Sequence, residues 1–296
     1  MTDADLIARN RAAWDVRAEQ HLASSFYDVD AWLRGANSLK PPELALLGEL
    51  SGRRLLHLQC HFGQDTLSLA RRGAEVVGLD FSGRAIAAAR DLARRAGLAA
   101  QFHEVDVLTA DRHPPLAAQA GTFDVAFASY GTIGWLPDID RWAAVVAHFL
   151  RPGGRLVFVE FHPLADLYGP HALQVPYGYF GGAPTLETEG TYTDVAEERP
   201  MPTAFWDHPV SAVVQALLDV GLQLERFAEY DYSPYDIYGE RGVERAPGEW
   251  QLRGLEGRVP LLYSLTAKRV LPPGADGQPS PRRRRAAPPP RPRGSS

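Results

Sequence analysis

The sequence has a single cysteine, Cys60, among its 296 residues, so no disulfide bond can form within the chain. No apolar run approaches the roughly 20 residues that a helix needs to cross a bilayer. The first residues, MTDADLIARNRAAW, lack the charged start and the continuous apolar stretch of a secretory signal peptide. These absences predict a cytoplasmic protein.

Positive charge is scarce in the body of the chain. The sequence has 31 Lys and Arg against 36 Asp and Glu, a net charge of −5, yet residues 271–296 hold six arginines and one aspartate. The tail therefore carries +5 and the rest of the chain −10. An acidic body argues against a nucleic-acid interface built into the fold. The tail is rich in Pro, Arg, Gly and Ser, and we expect it to be disordered.

Short apolar runs alternate with helical patterns between residues 50 and 163. Most runs are continuous rather than alternating in polarity, which is typical of strands buried on both faces. Ser82 and Asp138 can each cap a helix that lies between two of these apolar runs. RPGG at Arg151–Gly154 predicts a turn. This order predicts βαβ units and a doubly wound parallel sheet. The predicted strands are Leu55–Cys60, Glu75–Asp80, Gln101–Val107, Phe123–Tyr130 and Arg155–His162.

After a helix that begins at Pro209, two more strands are predicted, Leu222–Tyr232 and Pro260–Arg269. No helix of length separates them, so they must pair antiparallel or lie apart. We expect an α/β fold with a mostly parallel seven-stranded sheet, helices on both faces and an antiparallel last strand. The predicted organisation is a helical cap over residues 1–50, a main domain over 51–270 with an insertion at 164–206, and the tail at 271–296.

The ends of the first two predicted strands indicate a nucleoside ligand, because such sheets bind ligands at the carboxyl ends of their strands. Gly63, in the turn HLQCHFGQD, allows the backbone to approach a ligand closely. Asp80 follows Gln59 by 21 residues, an offset that suits a carboxylate accepting hydrogen bonds from ribose hydroxyls. The alternative role for Asp80 is a helix cap, for which Ser82 is better placed.

The turn after the first strand lacks the spaced glycines that bring backbone amides onto the pyrophosphate of a dinucleotide. Gln59, His61 and Phe62 stand where small residues would be needed. A nicotinamide oxidoreductase is therefore disfavoured, and a cofactor without phosphates, such as S-adenosylmethionine (SAM), suits the turn better. His57, Cys60 and His61 could be metal ligands by type, but strand alternation points His57 and Cys60 to opposite faces, so we expect no metal site.

Several motifs follow one another in a fixed order: LLHLQCHFGQDTLSLARRGAEVVGLDFS, EVDVL, FDVAFASYGTIGWLPD, LRPGG and LVFVEFHP. Together they resemble the motifs of class I (Rossmann-like) SAM-dependent methyltransferases. The segments NRAAWD and FWDHPVSAVVQALLDVGL, with the LHLQCHFG variant of the first motif, are similar to a bacterial subgroup. The usual first motif has an acidic residue and three spaced glycines. Here those positions hold His57, Gln59, His61 and Gly63, so only the last glycine is present.

The resemblance implies a SAM site at the carboxyl ends of the first four strands. The residues that it implies for the cofactor are Gln59, Cys60, His61 and Gly63 toward the methionine part, Asp80 toward the ribose, Asp106 and Val107 toward the adenine, Ser129 toward the sulfonium, and Phe81. Trp14 and Trp135 are expected to close the pocket. A base helps if the acceptor carries a proton. The candidates are His162 at the end of the fifth strand, whose alternative role is to fix the turn before Pro163, then Tyr130, then Glu160.

The predicted function is transfer of a methyl group to N, O or C of a small molecule. Carboxylates and aromatic rings in the insertion suit an amine-bearing acceptor, although a solvated lid explains them as well. Two alternatives remain: a non-catalytic SAM-binding protein, and a nucleic-acid methyltransferase anchored by the Arg-rich tail. The acidic body argues against the second, as does SYGTIGW after the fourth strand, which is no Asn-Pro-Pro-aromatic motif.

Overall fold

The computed structural model describes residues 1–166, 178–188, 193 and 201–270. The strands are β1 (Arg54–Leu58), β2 (Glu75–Asp80), β3 (Gln101–Glu104), β4 (Phe123–Ser129), β5 (Leu150–Phe161), β6 (Thr185–Glu187), β7 (Thr203–Phe205), β8 (Leu222–Tyr230), β9 (Gly242–Ala246), β10 (Glu249–Leu252) and β11 (Leu262–Arg269). The α-helices are α1 (Asp3–Ala23), α2 (Val29–Leu33), α3 (Pro41–Leu47), α4 (Gln64–Arg71), α5 (Gly83–Ala96), α6 (Pro114–Ala117), α7 (Ile139–Phe149), α8 (Pro163–Asp166) and α9 (Val210–Asp219).

The main sheet has seven strands in the order β3-β2-β1-β4-β5-β11-β8. The pairs β1–β2, β2–β3, β1–β4 and β4–β5 are parallel. The last strand, β11, lies antiparallel between β5 and β8. The sequence prediction of a mostly parallel, seven-stranded sheet with an antiparallel last strand is confirmed. The strand order reverses between β1 and β4, which opens a crevice at their carboxyl ends.

Buried side chains alternate between the two faces of the sheet. Leu56 of β1 belongs to a core that includes Trp142 of α7 and Leu217 of α9. Its neighbour Leu55 belongs to the opposite core, with Leu47 of α3. Because both faces of the central strands are covered, β1 and β4 read as continuous apolar runs, as the sequence analysis inferred.

Several predicted strands end earlier than expected. The chain leaves β1 at Leu58, since Gln59 and His61 take left-handed φ values of 54° and 52°. It leaves β4 at Ser129, because Tyr130 has a φ of 53°. The third strand ends at Glu104 and is followed by a 3₁₀ helix over Val107–Arg112. The predicted ends at Cys60, Val107 and Tyr130 were therefore wrong. Cys60 and Tyr130 lie in the segments that follow their strands, and Val107 begins the 3₁₀ helix.

The predicted turn at Arg151–Gly154 lies inside the fifth strand instead. Pairing with β4 jumps from Phe123–Leu150 to Val125–Arg155, so the residues between form an irregular bulge at the start of β5. The hairpin of β9 and β10, between β8 and β11, was not predicted. The tail 271–296 and much of the predicted insertion lie outside the described residues. Its described parts include β6 and β7, which pair with each other apart from the main sheet.

Candidate active site

A cavity of about 390 Å³ lies at the carboxyl ends of β1, β2 and β4. Every residue predicted to contact the cofactor lines it: Gln59, Cys60, His61, Gly63, Asp80, Phe81, Asp106, Val107 and Ser129. Tyr130 lines it as well, whereas His162 does not. The structure therefore brings together side chains that belong to the ends of four different strands.

Two backbone amides of the turn after β1 donate hydrogen bonds to residues of β2. The amide of Cys60 donates to the carbonyl oxygen of Leu79 at 2.8 Å, and the amide of His61 donates to Oδ2 of Asp80 at 2.9 Å. Gln59 reaches the other side of the crevice, where its Nε2 donates to the carbonyl oxygen of Thr132 at 2.7 Å. The turn is therefore fixed between the ends of β2 and β4.

Packing inside the protein also requires a glycine at position 63. It has a φ of 76°, and a Cβ there would lie 2.7 Å from the ring of Phe102 and 2.9 Å from Cβ of Ala89. A side chain at this position would collide with β3 and α5. Close packing of the protein on itself therefore requires the glycine, in addition to its place on the cavity wall.

Asp80 ends β2 and is almost fully buried. Oδ2 accepts from the amide of His61 and Oδ1 accepts from the amide of Ser82, both at 2.9 Å. Burial raises the pKa of Asp80 to about 6, against the lowering effect of these two amides. A carboxylate can accept up to about four hydrogen bonds, so the oxygens keep capacity for a ligand in the cavity. Ser82, not Asp80, caps α5 through its hydroxyl.

Three buried polar atoms on the cavity wall find no hydrogen-bond partner within the described part of the chain: Oε1 of Gln59, Nε2 of His61 and Nε1 of Trp14. Burial lowers the pKa of His61 well below its usual value, so its imidazole is neutral at pH 7. Buried polar groups in folded proteins are nearly always paired. The set offers acceptor and donor atoms together, which suits a ligand group that carries both charges.

Asp106 precedes the 3₁₀ helix and caps it, with Oδ1 accepting from the amide of Leu108 at 2.9 Å. This cap holds Val107, which is buried, against the cavity. Asp106 therefore has a structural role and a position on the wall at once.

Aromatic rings from α1 and from the loop after β4 cover the cavity. The rings of Trp14 and Trp135 meet edge to face with centroids 5.3 Å apart, and Phe205 of β7 packs on Trp135 at 5.8 Å. The guanidinium carbon of Arg17 lies 5.6 Å and 5.5 Å from the centroids of the two indoles. We call Trp14, Trp135 and Phe205 the roof. Asn10 fixes it by exchanging two hydrogen bonds of 2.8 Å with the backbone of Ala204.

The opposite end of the cavity holds acidic and phenolic groups. Tyr130 donates a hydrogen bond from its hydroxyl to the carboxylate of Glu43 on α3. Asp65, the second residue of α4, also lines the cavity, and burial raises its pKa. The rings of Tyr235 and Phe161 pack against Tyr130 with centroids 5.1 Å and 5.8 Å away. We call this end, with Asp65, Tyr130, Phe161 and Tyr235, the acceptor side.

Glu160, the third candidate base, serves the loop after β4. Its buried carboxylate accepts hydrogen bonds from the amides of Gly131, Thr132, Ile133 and Phe161 and from the hydroxyl of Thr132. With its oxygens engaged in this way, Glu160 positions the loop and is not available to take a proton from a ligand.

The first candidate base, His162, is not among the residues that line the cavity. Its Nδ1 accepts from the amide of Leu164 at 3.1 Å, and its Nε2 lies 3.0 Å from Oε1 of Glu229 on β8. The ring packs on Tyr263 rather than on the cavity. The alternative considered for His162, that it fixes the turn before Pro163, agrees with these contacts, and its role as a base stays a prediction.

Glu43, Asp65, Thr132 and Tyr235 are site residues that the sequence analysis did not single out. Asp65 belongs to the quoted turn HLQCHFGQD, so its nearness to Gly63 was a usable signal. Glu43 is 87 residues from Tyr130, and no pattern in the sequence joins them. Among the described residues no group of three metal-ligating side chains could hold an ion. No helix in the same residues has the length and apolar character to span a membrane.

The sequence of the strand-rich segment matches a known family. Residues 56–156 match the profile of a methyltransferase domain. The chain is 37% identical over 123 residues to a demethylmenaquinone methyltransferase of Thermus thermophilus, a match that covers 41% of this chain and 52% of that protein. It is 30% identical over 144 residues to a ubiquinone biosynthesis O-methyltransferase of Aeromonas salmonicida, covering 47% and 57%. The chain thus spans little more than half the length of these curated relatives.

A solved structure has a similar fold. A putative S-adenosylmethionine-dependent methyltransferase from Listeria monocytogenes superposes with a TM-score of 0.54 at 16% identity, over 77% of this chain and 95% of the other. The strand-rich segment and its flanking elements therefore share the Rossmann-like fold of this structure.

Proposed function

We propose that the chain is a SAM-dependent methyltransferase that acts on a small molecule. The observation that carries the proposal is the cavity at the strand ends of the methyltransferase domain, lined by every residue expected to contact the cofactor. Its volume of about 390 Å³ lies within the usual range of small-molecule sites.

The cavity residues fit SAM, which joins an adenosine to an amino acid through a sulfonium. Asp80 offers carboxylate oxygens for the ribose hydroxyls. The unpartnered atoms of Gln59, His61 and Trp14 offer one acceptor and further polar contacts for an ammonium and a carboxylate. Val107 is an apolar wall for the adenine, and the remaining residues that would hold the cofactor are Cys60, Gly63, Phe81, Asp106 and Ser129.

When bound, SAM supplies a methyl group that its sulfonium charge has already activated. The chain's contribution is then to orient the acceptor and exclude water, which is worth several kcal/mol. Tyr130 and Phe161 on the acceptor side orient the acceptor in this proposal. The roof keeps water from the reacting atoms. Residues 1–50 contribute Trp14 to it and in this way act as a cap on the 51–270 domain.

The acceptor attacks through oxygen or nitrogen in this proposal. The named relatives act in menaquinone and ubiquinone chemistry, and the rings of Phe161 and Tyr235 would suit a flat aromatic acceptor in the same way. Asp65 places a carboxylate on the same wall, which supports an amine-bearing acceptor as well.

Calorimetric titration of the purified protein with SAM, S-adenosylhomocysteine and NAD tests the proposal. We expect micromolar binding of both adenosyl ligands and none of NAD, followed by a methylated product from a panel of phenols and amines. Binding of SAM without product from any member of the panel would support the non-catalytic alternative. Silence from both adenosyl ligands would overturn the proposal.

A further inference from the structure

Tyr130 and Glu43 form a buried pair beside the cavity. Tyr130 comes directly after β4 and takes a left-handed φ of 53°, which turns its ring away from the strand and onto the cavity wall. Its hydroxyl donates to Oε2 of Glu43, a residue with no exposed surface. Tyr130 lines the cavity and Glu43 does not, so the hydroxyl of Tyr130 connects the carboxyl of Glu43 to the cavity.

Few charged groups face this pair. From the start of α3, the amide of Lys40 donates to Oε1 of Glu43 at 2.5 Å. From α4, the carboxylate of Asp65 acts on both partners and disfavours a negative charge on either. From the segment after β8, Tyr235 packs on Tyr130, and the Nζ of Lys40 lies 4.8 Å from the Tyr235 ring centroid. On β5, Arg155 binds the far end of α3, where its Nη2 donates to the carbonyl oxygen of Leu47 at 2.7 Å.

The surroundings tune Glu43 for proton exchange near neutral pH. Burial raises the pKa of Glu43 to about 8, with the hydroxyl of Tyr130 opposing that rise. Burial and Glu43 together raise the pKa of Tyr130 well above its usual value, so its phenol stays protonated. A general base works best when its pKa lies near the working pH.

We propose that Glu43, acting through the hydroxyl of Tyr130, accepts the proton that the methyl acceptor loses. The inference rests on the proposed function and deepens it. It commits the acceptor to a nucleophile that carries a proton, an O–H or N–H group, rather than a carbon. Glu43 is a positioning residue in this scheme and Tyr130 is the group that meets the acceptor.

The step balances without another reactant. The acceptor's oxygen or nitrogen uses a lone pair to bond the methyl carbon while the carbon–sulfur bond breaks and its electron pair stays on sulfur. The acceptor's proton passes to the phenolic oxygen of Tyr130. The proton already on that oxygen passes to Oε2 of Glu43, which must start as the carboxylate and returns its proton to water afterwards.

A coloured phenol tests the pair without requiring turnover. The probe is 4-nitrocatechol, whose absorbance changes when it loses a proton, added to the protein saturated with S-adenosylhomocysteine. In the native protein we expect the bound probe to ionise at lower pH than the free probe. In Tyr130→Phe we expect its apparent pKa to rise by about one unit, a tenfold change in ionisation, because the bound phenolate loses the hydrogen bond from the phenol. In Glu43→Gln we expect the ionisation of the probe to stay at the native value, because Glu43 is neutral over the same pH range. Glu49→Gln, an exposed glutamate just beyond α3, is the matched control.

Methylation of the same probe gives the second measurement. Loss of a general base costs about 100-fold in kcat or more, and we expect this in Glu43→Gln with the KM for SAM unchanged. The native kcat should rise with pH up to about 8, and the rise should vanish in the variant. Because the two residues act as a unit, the double variant should be no slower than either single one.

The outcomes separate this inference from the proposed function. Equal kcat for the probe in the native protein and in Glu43→Gln, or identical ionisation of the probe in the native protein and in Tyr130→Phe, would overturn the pair alone when S-adenosylhomocysteine is bound equally by each protein. Failure of the native complex to bind the probe, or additive losses in the double variant, would overturn it too. Failure of the native protein to bind either adenosyl ligand would overturn the proposed function instead. Equal affinity for S-adenosylhomocysteine shows that each variant is folded.

Discussion

The two ends of the cavity are built in different ways. At the cofactor end, Asp80 and the turn Gln59–Gly63 come directly after adjacent parallel strands, and backbone amides hold the carboxylate. At the acceptor side, Tyr130 depends on Glu43 from α3 and on a loop held by Glu160. The first arrangement follows from the order of the strands. The second follows from which helices happen to pack there, so it is free to differ between proteins that share the fold.

The two ends also carry charge differently. Asp80 keeps a pKa of about 6 because two amides offset part of the cost of burial. Glu43 has one amide and one phenol, and its pKa is about 8. At pH 7 Asp80 is therefore mostly ionised and Glu43 is mostly neutral. The contrast fits an end that binds a ligand and an end that exchanges a proton.

The largest effect is expected from Glu160→Ala. The change leaves the amides of Gly131, Thr132 and Ile133 unpaired in a buried loop, and we expect a loss of about 3 kcal/mol in the free energy of unfolding. Urea denaturation at pH 7 measures it, with Glu225→Ala on the exposed face of β8 as the control. Equal unfolding free energies for Glu160→Ala and the native protein would show that the loop does not depend on this carboxylate.

Asp80→Ala tests the cofactor end. Loss of the carboxylate removes hydrogen bonds to the ribose, and we expect at least about tenfold weaker binding of SAM and S-adenosylhomocysteine, or about 1.4 kcal/mol. Calorimetry measures it. Glu75→Ala is the control, because Glu75 lies at the other end of the same strand with its side chain 72% exposed. Unchanged affinity in Asp80→Ala would remove the ribose role.

The affinity for S-adenosylhomocysteine should depend on pH through Asp80. The ligand binds the ionised carboxyl, whose pKa in the free protein is about 6. Binding should therefore be full above pH 7 and weaken as the pH falls through 6, by up to about tenfold at pH 5. Titrations at pH 5, 6, 7 and 8 measure this dependence. The same weakening in Asp80→Asn would assign it to another group.

The smallest effect on function is expected from His162→Ala. This side chain binds Leu164 and Glu229 away from the cavity, so affinity for SAM and kcat should both stay at the native values. The free energy of unfolding should fall by about 1 kcal/mol, since the half-buried amide of Leu164 loses its partner. A large fall in kcat with unchanged stability would restore His162 as the base.

The sheet could be predicted from the sequence because its signals are local. Continuous apolar runs gave β1, β2, β4 and β5, and Ser82 and Asp138 do cap α5 and α7. Many of the residues that line the cavity could be predicted for the same reason, since they follow strand ends. The ends themselves were placed too late where Gln59, His61 and Tyr130 take left-handed φ values, which only glycine adopts without cost.

The acceptor side could not be predicted, because long-range packing decides it. The choice of Glu43 as the partner of Tyr130 depends on how α3 packs on β5, and nothing near either residue records that. His162 shows a second limit of the sequence. It follows a strand at the edge of the sheet where the cavity lies, yet its ring contacts Tyr263 and Glu229. Strand position fixes the edge of the sheet but not the face on which a side chain after the strand will lie.

The link between Asn10 and Ala204 has a consequence for how the protein is made. The two residues are 194 positions apart, and ribosomes add roughly 5 to 20 residues per second. The first helix therefore leaves the ribosome about 10 s or more before the strand that holds it in place exists. For that interval the parallel strands β1 to β5 can pair while the cavity stays open on one side. The roof becomes complete only after Phe205 has been added, so a nascent chain should gain its affinity for the cofactor after that point.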